Sequence, residues 1–409
     1  MRNVSTSIAD SAVTDRTWDV LVVGAGPAGS TAAALLASLG HSVLLLDRHR
    51  FPREKACGDA LMPDALNSLR SLGLYDEVKR LGHSANQLTV LSPAGIRVEV
   101  PAECITLRRE QLDALILEEA ISRGSTFTVA QVERVYQDDA GGVAVFLAAS
   151  GERIYARTGV IATGASVELL NNLGMLTRSR ANGIAARCYV KSPVEIDELI
   201  VSYESAITPG YGWIFPMGDQ EYNVGCGVFY EDDTFKKVNL REVFHSFTTS
   251  VTVARPLMAA AESITRLSGA RLRAGLGGAL LHNGGNVVAI GETVGATYPF
   301  TGEGIGKAME TGSLAANQIH LALEQGNVEP LRELPSMVDE LLAPRYLGYH
   351  AAQRWLSKPW LNNLVAARIR KSTNLRSAVA GILNETTDPR TVFTWHTLLP
   401  DWVRRVGRI

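Results

Sequence analysis

The sequence predicts an α/β fold in three parts: a parallel sheet flanked by helices, an antiparallel sheet, and a helical C-terminal region. The first part follows from a strand, a glycine-rich turn, a helix and a second strand between Asp19 and Leu46. Residues 184–228 contain several strand patterns and few helical ones, which indicates the antiparallel sheet. From Leu331 onward apolar residues recur at helical spacing, which indicates the third part.

The glycine-rich turn predicts a site for a dinucleotide. An apolar strand leads into Gly24, Gly26 and Gly29, and small residues that favour a helix follow. Gly24 permits the tight turn, Gly26 lets backbone N–H groups approach a pyrophosphate, and Gly29 allows the helix to pack closely on the strand. The positive end of the helix dipole adds to phosphate binding. The next strand ends at Asp47, about 20 residues later, where a carboxylate can bind ribose hydroxyls. These features predict a Rossmann-like domain.

Composition narrows the class of protein. The chain has 409 residues, enough for two or three domains, and its 46% hydrophobic and 20% charged residues are typical of a globular enzyme. A net charge of −2 gives no indication of a nucleic-acid partner. The four cysteines lack CxxC spacing and the histidines are dispersed. We therefore expect reduced thiols and no metal site.

The N-terminal residues show no targeting signal. Residues 1–17 lack the apolar segment of a signal peptide, and we expect them to form a disordered leader. No window holds 18 uninterrupted apolar residues, so no transmembrane helix is predicted. We expect a cytoplasmic protein that meets a membrane only at its surface.

Local signals place the elements that follow the first β-α-β unit. Gly40 ends the helix of that unit, and residues 51–61 contain too many charges and breakers for a regular element. Pro63 can begin a helix that continues to Leu72, and Arg109–Ser122 has an amphipathic pattern. The predicted strands are 87–91 and 96–100 around a turn at 92–95, then 126–135, 143–148, 153–161, 185–190, 199–203, 222–228 and 286–290.

The nucleotide-binding domain is predicted to be discontinuous. The strand at 286–290 returns to its sheet, and after Gly302 a long helix continues to about Leu323. The predicted divisions are a leader at 1–17, the nucleotide-binding domain at 18–83, 104–183 and 270–325, an antiparallel-sheet substrate domain at 84–103 and 184–269, and the helical region at 326–409.

Several separated segments resemble those of a known family. Residues 24–29, Asp47, residues 162–164 and residues 291–295 resemble the FAD-binding set of flavoproteins with the para-hydroxybenzoate hydroxylase fold. Three further segments resemble the geranylgeranyl reductase group of that family: Cys57-Gly58-Asp59, Tyr211-Gly212-Trp213-Ile214-Phe215-Pro216 and Pro299-Phe300-Thr301-Gly302-Glu303-Gly304-Ile305. The resemblance extends over about residues 19–311, and the helical tail contributes nothing to it.

The resemblance implies a set of FAD contacts. Arg109 would approach FAD from the start of a helix, with a solvated arginine as the alternative, and Val132 would flank the adenine or simply pack in the core. Gly304 and Ile305 would open a helix whose N-terminus stabilises the negative charge of reduced flavin. Glu292 stands where the family usually has Asp, which favours a contact through water. The implied FAD-binding residues are Gly24, Gly26, Ala28, Gly29, Asp47, Arg48, Cys57, Gly58, Ala60, Arg109, Val132, Gly291, Glu292, Gly302, Gly304 and Ile305.

The implied catalytic residues are Cys57, Asp59, Tyr211 and Trp213. Asp59 would raise the pKa of the Cys57 thiol, which favours a proton donor over a thiolate; the alternative is a small buried apolar cysteine. Tyr211 and Trp213 alternate on a strand and therefore face one way. They form either an aromatic wall for an apolar substrate or ordinary core, with Phe215 as support.

Residues 355–371 mix tryptophans and leucines with basic residues. The preferred interpretation is a face that packs within the protein, and an amphipathic helix at a membrane interface is the alternative, which a lipid-soluble substrate would favour.

We expect an FAD-dependent reductase that saturates carbon–carbon double bonds of a prenyl or similar hydrophobic substrate, by hydride transfer from reduced flavin plus protonation. One alternative is a flavin-dependent monooxygenase or halogenase acting on an aromatic or polyketide-type substrate, although Lys55 lies in the wrong segment to be a halogenase lysine. Another is an FAD-binding protein without catalysis. No second GxGxxG motif is visible, so NAD(P)H, ferredoxin and a quinol all qualify as electron donor. The oligomeric state is left open.

Overall fold

The computed structural model describes residues 11–137, 142–148, 150–208, 210–230 and 238–394. The strands are β1 (Thr17–Val23), β2 (Val43–Asp47), β3 (Ala60–Leu61), β4 (His83–Leu91), β5 (Arg97–Thr106), β6 (Thr126–Val129), β7 (Val132–Gln137), β8 (Val143–Leu147), β9 (Arg153–Ile161), β10 (Gly183–Lys191), β11 (Leu199–Ser202), β12 (Tyr211–Gly218), β13 (Glu221–Phe229), β14 (Ser263–Ile264), β15 (Ser268–Leu272) and β16 (Val287–Ala289).

Helices cover both sheets. They are α1 (Ser11–Thr14), α2 (Pro27–Ser38), α3 (Pro63–Leu72), α4 (Tyr75–Leu81), α5 (Arg109–Ser122), α6 (Glu168–Asn172), α7 (Leu240–Ser250), α8 (Ala254–Ala259), α9 (Ile305–Gln325), α10 (Glu329–Leu341), α11 (Ala343–Leu356), α12 (Pro359–Lys371), α13 (Thr373–Leu383) and α14 (Pro389–Val392), with 3₁₀ turns at Ser205–Ile207 and Gly291–Val294. The predicted helical tail beyond residue 394 lies outside the described residues.

The first sheet has the order β6-β2-β1-β9-β8-β7, with β16 also pairing with β9. Its parallel strands are β6, β2, β1, β9 and β16, and β8 and β7 extend it as an antiparallel meander. Residues 20–22 of β1 are buried on both faces of the sheet, as expected for a central parallel strand. The α/β class and the return of the chain at β16 are confirmed.

The single strand predicted at 126–135 is wrong. Its first half, β6, pairs in parallel with β2, and its second half, β7, pairs antiparallel with β8. The extended strand is interrupted between them, where the Ala130 amide donates to the Asp47 carbonyl oxygen at 2.8 Å. Two partners that run in different directions require this break, and the local pattern of apolar residues contains no trace of it.

The second sheet has nine strands in the order β14-β10-β13-β12-β11-β4-β5-β3, with β15 pairing with β10. The hairpin of β4 and β5 therefore shares a sheet with the strands from the middle of the chain. The prediction of an antiparallel sheet needs one correction, because β11 pairs with β4 in parallel. The exact domain boundaries stay predictions.

The last residues of the predicted leader form regular structure, although a disordered segment was expected. Residues 1–10 lie outside the described part, but α1 forms a helical turn and β1 begins at Thr17. Val13 is buried, and the Trp18 indole donates to its carbonyl oxygen at 3.1 Å. An apolar side chain that docks on the first sheet orders this segment.

The helices pack on the two sheets and form several clusters of buried apolar residues. Helices α2, α3, α5 and α9 bury their apolar faces against the first sheet in one large cluster. Helices α12 and α13 pack on β4 and β5, and α7 and α8 cover the opposite side of the second sheet. None of the helices in the described ranges has the length and apolar character needed to span a membrane.

Candidate functional site

A cavity of about 790 Å³ joins the two sheets and the C-terminal helices. We call its part lined by segments 23–28, 46–49, 130–133 and 162–166 the nucleotide arm, and its part lined by β4, β5, β12 and α11–α14 the apolar chamber. The nucleotide arm lies at the carboxyl ends of the parallel strands, where α/β folds bind ligands. Every predicted site residue lines the cavity except Gly29 and Gly291.

The glycine-rich turn brings the start of α2 against β1 and β9. Gly24 has a φ of +108°, and a Cβ there would lie 2.3 Å from the Ala162 carbonyl oxygen. A Cβ at Gly29 would lie 1.9 Å from the Gly24 carbonyl oxygen. Gly29 therefore acts through packing, as the sequence predicted. Gly26 is the N-cap of α2 and supplies no side-chain cap, so the positive helix end faces the nucleotide arm beside Ala28.

The end of β2 supplies the carboxylate of the nucleotide arm. Asp47 accepts hydrogen bonds from the backbone amides of Ala25 and His49, both at 2.9 Å. These bonds hold it at the wall of the arm, which Arg48 and Val132, the first residue of β7, also line. The placement agrees with the predicted roles at the ribose and the adenine, which stay predictions.

Glu292 is engaged within the protein. Its carboxylate lies 3.4 Å from the Lys55 ammonium and accepts from the Arg273 amide at 3.4 Å. Gly291, before it, has a φ of +69°, and a Cβ there would lie 2.8 Å from the Ala28 Cβ. Gly291 therefore packs the 3₁₀ turn against α2 and does not face the cavity.

A hydrogen-bond network fixes the loop of Cys57. Asp59 is buried with a φ of 64°, a left-handed conformation that Asp tolerates better than most residues. Its carboxylate accepts from the Tyr189 hydroxyl at 2.6 Å and from the Asn223 amide at 2.8 Å. Asn223 also donates to the Cys57 carbonyl at 2.8 Å and accepts from the Trp213 indole at 2.9 Å. Asp59 is thus a positioning residue for the loop.

The environment of Cys57 favours a protonated thiol. Burial raises the pKa of Cys57, the Arg109 guanidinium opposes this rise, and the Asp59 carboxylate adds to it. The sequence predicted the direction of the Asp59 contribution. Arg109 lines the cavity, but its guanidinium donates to both oxygens of Asp113 at 2.7 and 2.8 Å. The arginine is therefore neither solvated nor free of a partner.

Tyr211 and Trp213 lie on one face of β12, as predicted, and begin an aromatic wall. Glycines stand opposite them on β13: a Cβ at Gly225 would lie 2.2 Å from Trp213, and one at Gly227 would lie 3.0 Å from Tyr211. The rings fill the space that these glycines leave. The wall consists of Phe300, Tyr203, Tyr211, Phe229, Trp213 and Phe215, whose neighbouring ring centroids are 4.9–6.3 Å apart.

Aliphatic side chains form the rest of the apolar chamber. The second sheet contributes Leu88, Val90, Val98 and Val100, and the C-terminal helices contribute Ala352, Leu356, Val365, Ala366, Ile369, Val379, Ile382 and Leu383. The helical tail, which carried no motif, therefore supplies much of the chamber. Amphipathic spacing shows that such helices bury one face but not what that face encloses.

The start of α9 lies where the nucleotide arm meets the aromatic wall. Gly302 has a φ of +77°, and a Cβ there would lie 2.8 Å from the Tyr211 hydroxyl oxygen. Gly304 is the N-cap of α9 and provides no side-chain cap, and Ile305 lines the cavity beside it. The positive end of a 21-residue helix therefore faces the cavity.

The tail segment with interfacial character is divided between core and surface. Leu361 is buried and Leu356 lines the chamber, in agreement with the preferred interpretation of internal packing. Trp360 and Leu364 remain 59% and 39% exposed on the outer face of α12.

A histidine pair lies outside the cavity. His41 Nε2 and His320 Nδ1 are 2.9 Å apart, and Glu324 follows His320 by one helical turn. Their ligand atoms are close enough to hold an ion, but they are not among the residues that line the cavity. The expectation of no metal stays a prediction.

Comparison with known proteins identifies the family. The sequence profile of the FAD binding domain matches residues 17–319. The chain belongs to this family. It is 32% identical to menaquinone reductase of Mycobacterium tuberculosis H37Rv, covering 96% of this chain and 95% of the relative. It is 29% identical to geranylgeranyl diphosphate reductase of Rhodobacter capsulatus (77% and 78% covered) and 28% to digeranylgeranylglycerophospholipid reductase 1 of Methanothermobacter thermautotrophicus (77% and 80%).

Solved structures share the fold of this family member. A geranylgeranyl bacteriochlorophyll reductase-like protein from Thermoplasma acidophilum has a TM-score of 0.74 at 19% identity, covering 96% of this chain and 99% of that one. The flavin-dependent brominase Bmp2 has the same TM-score at 18% identity, with 96% and 100% covered. Halogenase PltM in complex with phloroglucinol and FAD has a TM-score of 0.69 at 17% identity, with 92% and 85% covered. The chain is an FAD-binding oxidoreductase with the predicted fold.

The nucleotide arm fits FAD. Two helix N-termini without side-chain caps, those of α2 and α9, face the same cavity. The glycine cradles at Gly24 and Gly29 exclude a Cβ, and the cationic side chains of Arg48, Arg53 and Lys55 line the same region. The contact of each single residue with FAD stays a prediction.

Sequence reasoning missed several residues of the site. Asn223, Tyr189 and Arg187 come from the second sheet, and Lys307 and Glu385 from helical segments. No local motif marks them, because each also depends on a partner far along the chain, as Tyr189 depends on Asp59, 130 residues away. Glu303 belongs to the segment 299–305 that resembles the family, but only its neighbours Gly302, Gly304 and Ile305 were predicted as site residues.

Proposed function

We propose that the protein is an FAD-dependent reductase that saturates carbon–carbon double bonds in the prenyl chain of a lipid. The apolar chamber, continuous with the nucleotide arm in one cavity, is the observation that carries the proposal. The similarity to proteins named menaquinone reductase and geranylgeranyl diphosphate reductase supports it. A menaquinone with an unsaturated tail is therefore the first substrate to test.

The chamber offers what a prenyl chain can recognise. Such a chain has no hydrogen-bonding groups, so its affinity comes from buried apolar area, at about 25 cal/mol per Å². Aliphatic residues of β4, β5 and α12 form one side, and the aromatic wall forms the other. The flat rings of Tyr211 and Trp213 can lie along a double bond and its methyl branches.

The chain's own residues prepare the reaction. Bound FAD, once reduced, supplies the hydride. The start of α9 stabilises the negative charge that accompanies reduction, since Gly304 leaves the helix end open to the cavity. The network of Asp59 and Asn223 holds the Cys57 loop against the aromatic wall. The apolar lining excludes water and orients the chain, which we expect to supply most of the rate enhancement.

A monooxygenase or halogenase is the alternative function, because halogenases share the fold. Lys55 is the one lysine among the described residues that line the cavity. Its ammonium lies 3.4 Å from Glu292 at the cofactor end, and it is therefore not free to act in the aromatic part of the chamber. This placement favours the reductase.

Anaerobic reoxidation tests the proposal. The FAD-loaded protein is reduced with dithionite without oxygen, freed of excess dithionite and mixed with a geranylgeranyl lipid, which unlike menaquinone has no quinone ring to reoxidise the flavin. We expect the flavin absorbance to return with the alkene alone, together with a product heavier by two hydrogens. Turnover that needs oxygen, or oxygen and halide, would favour the alternative. Replacing dithionite by NAD(P)H, ferredoxin or a quinol identifies the electron donor.

We also propose that the protein is cytoplasmic and meets the membrane through the outer face of α12. The four cysteines are free, as expected in a reducing compartment. A lipid substrate has to enter from a bilayer, and α12 forms part of the chamber wall.

A further inference from the structure

The loop before α9 places a carboxyl group at the chamber that the proposed function has not yet used. Glu303 lines the cavity between Gly302 and Gly304. Its carbonyl oxygen accepts a hydrogen bond from the Tyr298 amide at 2.7 Å, which closes the loop. Because Gly302 lies directly under the Tyr211 hydroxyl, Glu303 follows at the edge of the aromatic wall.

A buried charge cluster lies behind Glu303. Lys307 is fully buried, and its ammonium lies 2.6 Å from a Glu385 oxygen and 3.9 Å from an Asp64 oxygen, and also pairs with Glu310. Glu385 in turn pairs with Arg345 and accepts from the Tyr298 hydroxyl at 2.8 Å. With Glu303, four carboxyl groups thus face two cationic side chains.

This excess of acids leaves a proton on the cluster. Burial raises the pKa of Glu303 to about 8, and the carboxylates of Asp64 and Glu385 add to the rise while Lys307 opposes it. Burial raises the pKa of Asp64 only to about 6. Glu303 is therefore the neutral acid near pH 7. The other titratable groups around it are Tyr203, Tyr211, Tyr298, Tyr346, Tyr349, Cys104, Glu310 and Arg345.

We propose that Glu303 donates the proton to the substrate alkene, and that the cluster of Asp64, Lys307, Glu385 and Glu310 replaces this proton from solvent. The inference rests on the proposed reductase function. The O–H bond of Glu303 breaks as a C–H bond forms at one alkene carbon, while hydride from reduced FAD forms the C–H bond at the other. Glu303 remains as a carboxylate.

The geometry provides a return path for the proton. The Glu310 side chain is 33% exposed, whereas Lys307, its partner, is fully buried. Lys307 links Glu310 to Asp64 and Glu385, whose carboxylates act electrostatically on Glu303. Cys57 is the competing donor, since its thiol also lines the cavity.

Single-turnover rates distinguish the two donors. Prereduced, FAD-loaded wild type, E303Q, E303D and C57A are mixed anaerobically with menaquinone, with E329Q as a control because Glu329 lies on the surface of α10 paired with Arg332. We expect E303Q to slow alkene reduction by about 10²-fold or more and E303D to recover part of the rate, because a general acid contributes about 10²–10⁴-fold. The wild-type rate should fall as pH rises through 8.

Equal rates in E303Q and wild type, with only C57A slow, would overturn the inference and leave the proposed function standing. If wild type reduces no alkene while E329Q and wild type bind FAD normally, the proposed function itself is wrong, and the donor has no reaction to serve.

Thermal melting at different pH values supplies a readout that does not depend on turnover. The ordinary pKa of a glutamate is 4.5, below the raised value for Glu303 in the folded protein. Between these values the folded state binds more protons than the unfolded state, so wild type loses stability as pH rises. As pH rises from 5 to 8, the Tm of FAD-loaded E303Q should therefore increase relative to the Tm of FAD-loaded wild type. Parallel melting curves would show that Glu303 is ionised in the folded protein and would overturn the inference.

Discussion

Asp59 shows how a single side chain can connect several elements of a site. Its carboxylate connects β10 through Tyr189, β13 through Asn223 and the start of α5 through the Arg109 amide. Burial raises the pKa of Asp59, and the hydrogen bonds from Tyr189 and Asn223 oppose this rise. The residue was predicted as catalytic from its position after Cys57. Its contacts make it an anchor of the Cys57 loop, and the catalytic role stays a prediction.

Gly29 tests the packing at the start of α2. In the variant Gly29→Ala the new Cβ would lie 1.9 Å from the Gly24 carbonyl oxygen, so the helix has to move away from β1. We expect a loss of about 1–3 kcal/mol in the free energy of unfolding and weaker FAD binding. Chemical denaturation and flavin fluorescence titration measure the two effects.

Gly277→Ala is the matched control, because its Cβ would lie 3.8 Å from the Gly275 carbonyl oxygen, an ordinary contact. Normal FAD affinity in Gly29→Ala would contradict the packing assigned to the glycine-rich turn.

Strands β12 and β13 act as one element, in which rings on one strand cover glycines on the other. Trp213 stands opposite Gly225, and Tyr211 stands opposite Gly227. The aromatic wall therefore depends on small residues that make no contact with substrate themselves. Strand propensity disfavours glycine, and the pattern becomes meaningful only when the register of the two strands is known.

Gly225 tests this arrangement. A Cβ in Gly225→Ala would lie 2.2 Å from Trp213 Cζ2 and displace the indole from the wall. We expect alkene reduction to fall by up to about 10²-fold, because a shift of about 1 Å in a positioning group has effects of this size. The affinity for FAD should change less than the rate, since the nucleotide arm lies away from Trp213.

Steady-state rates and flavin titration measure these effects, with Gly269→Ala on β15 as the control because its Cβ would have 3.4 Å or more of space. A full rate in Gly225→Ala would exclude a role for Trp213 in holding substrate.

Helix α12 separates the apolar chamber from the surface. Its inner face lines the chamber through Val365, Ala366 and Ile369, and its outer face exposes Trp360 and Leu364. Lys358, Arg370 and Lys371 are exposed beside them. Exposed apolar side chains next to cations fit the interface of an anionic bilayer.

Vesicle flotation tests this face. Replacing Trp360 and Leu364 by Ser should reduce binding to phosphatidylglycerol vesicles several-fold, and salt should weaken the remaining binding because exposed charges are screened. Leu321→Ser, on α9, is a control of similar exposure, at 41% against 39% for Leu364. Equal flotation of the double variant and the control would contradict the proposed membrane contact.

At the scale of the whole molecule, features that depend on neighbouring residues were predicted more completely than features that depend on contacts between distant segments. Helices α3 and α5 match their predicted bounds residue for residue, since Pro63 and Gly73 delimit α3 and apolar spacing defines α5. The FAD-binding family and the α/β class followed from the glycine-rich turn and the distant motifs. The break at Ala130, by contrast, arises from a change of strand partner.

The candidate site divides in the same way. Residues near a motif, such as Cys57 and Tyr211, were predicted and line the cavity. The chamber wall from α12 and α13, and the cluster around Lys307, depend on segments that meet only in the folded chain. Glu385, for example, lies 78 positions after Lys307 in sequence, yet their charged atoms are 2.6 Å apart. Only the three-dimensional structure reveals sites of this kind.

The position of the added hydrogens in the product tests the central proposal most directly. The reduced, FAD-loaded protein is incubated anaerobically with a menaquinone, the mixture is exposed to air, and the lipid is analysed by fragmentation mass spectrometry. Air reoxidises a quinol ring but leaves a saturated chain unchanged. We predict a stable product heavier by two hydrogens, with the gain in a prenyl fragment. Return of the original mass after exposure to air, or hydrogens confined to the ring, would contradict the assignment as a prenyl-chain reductase.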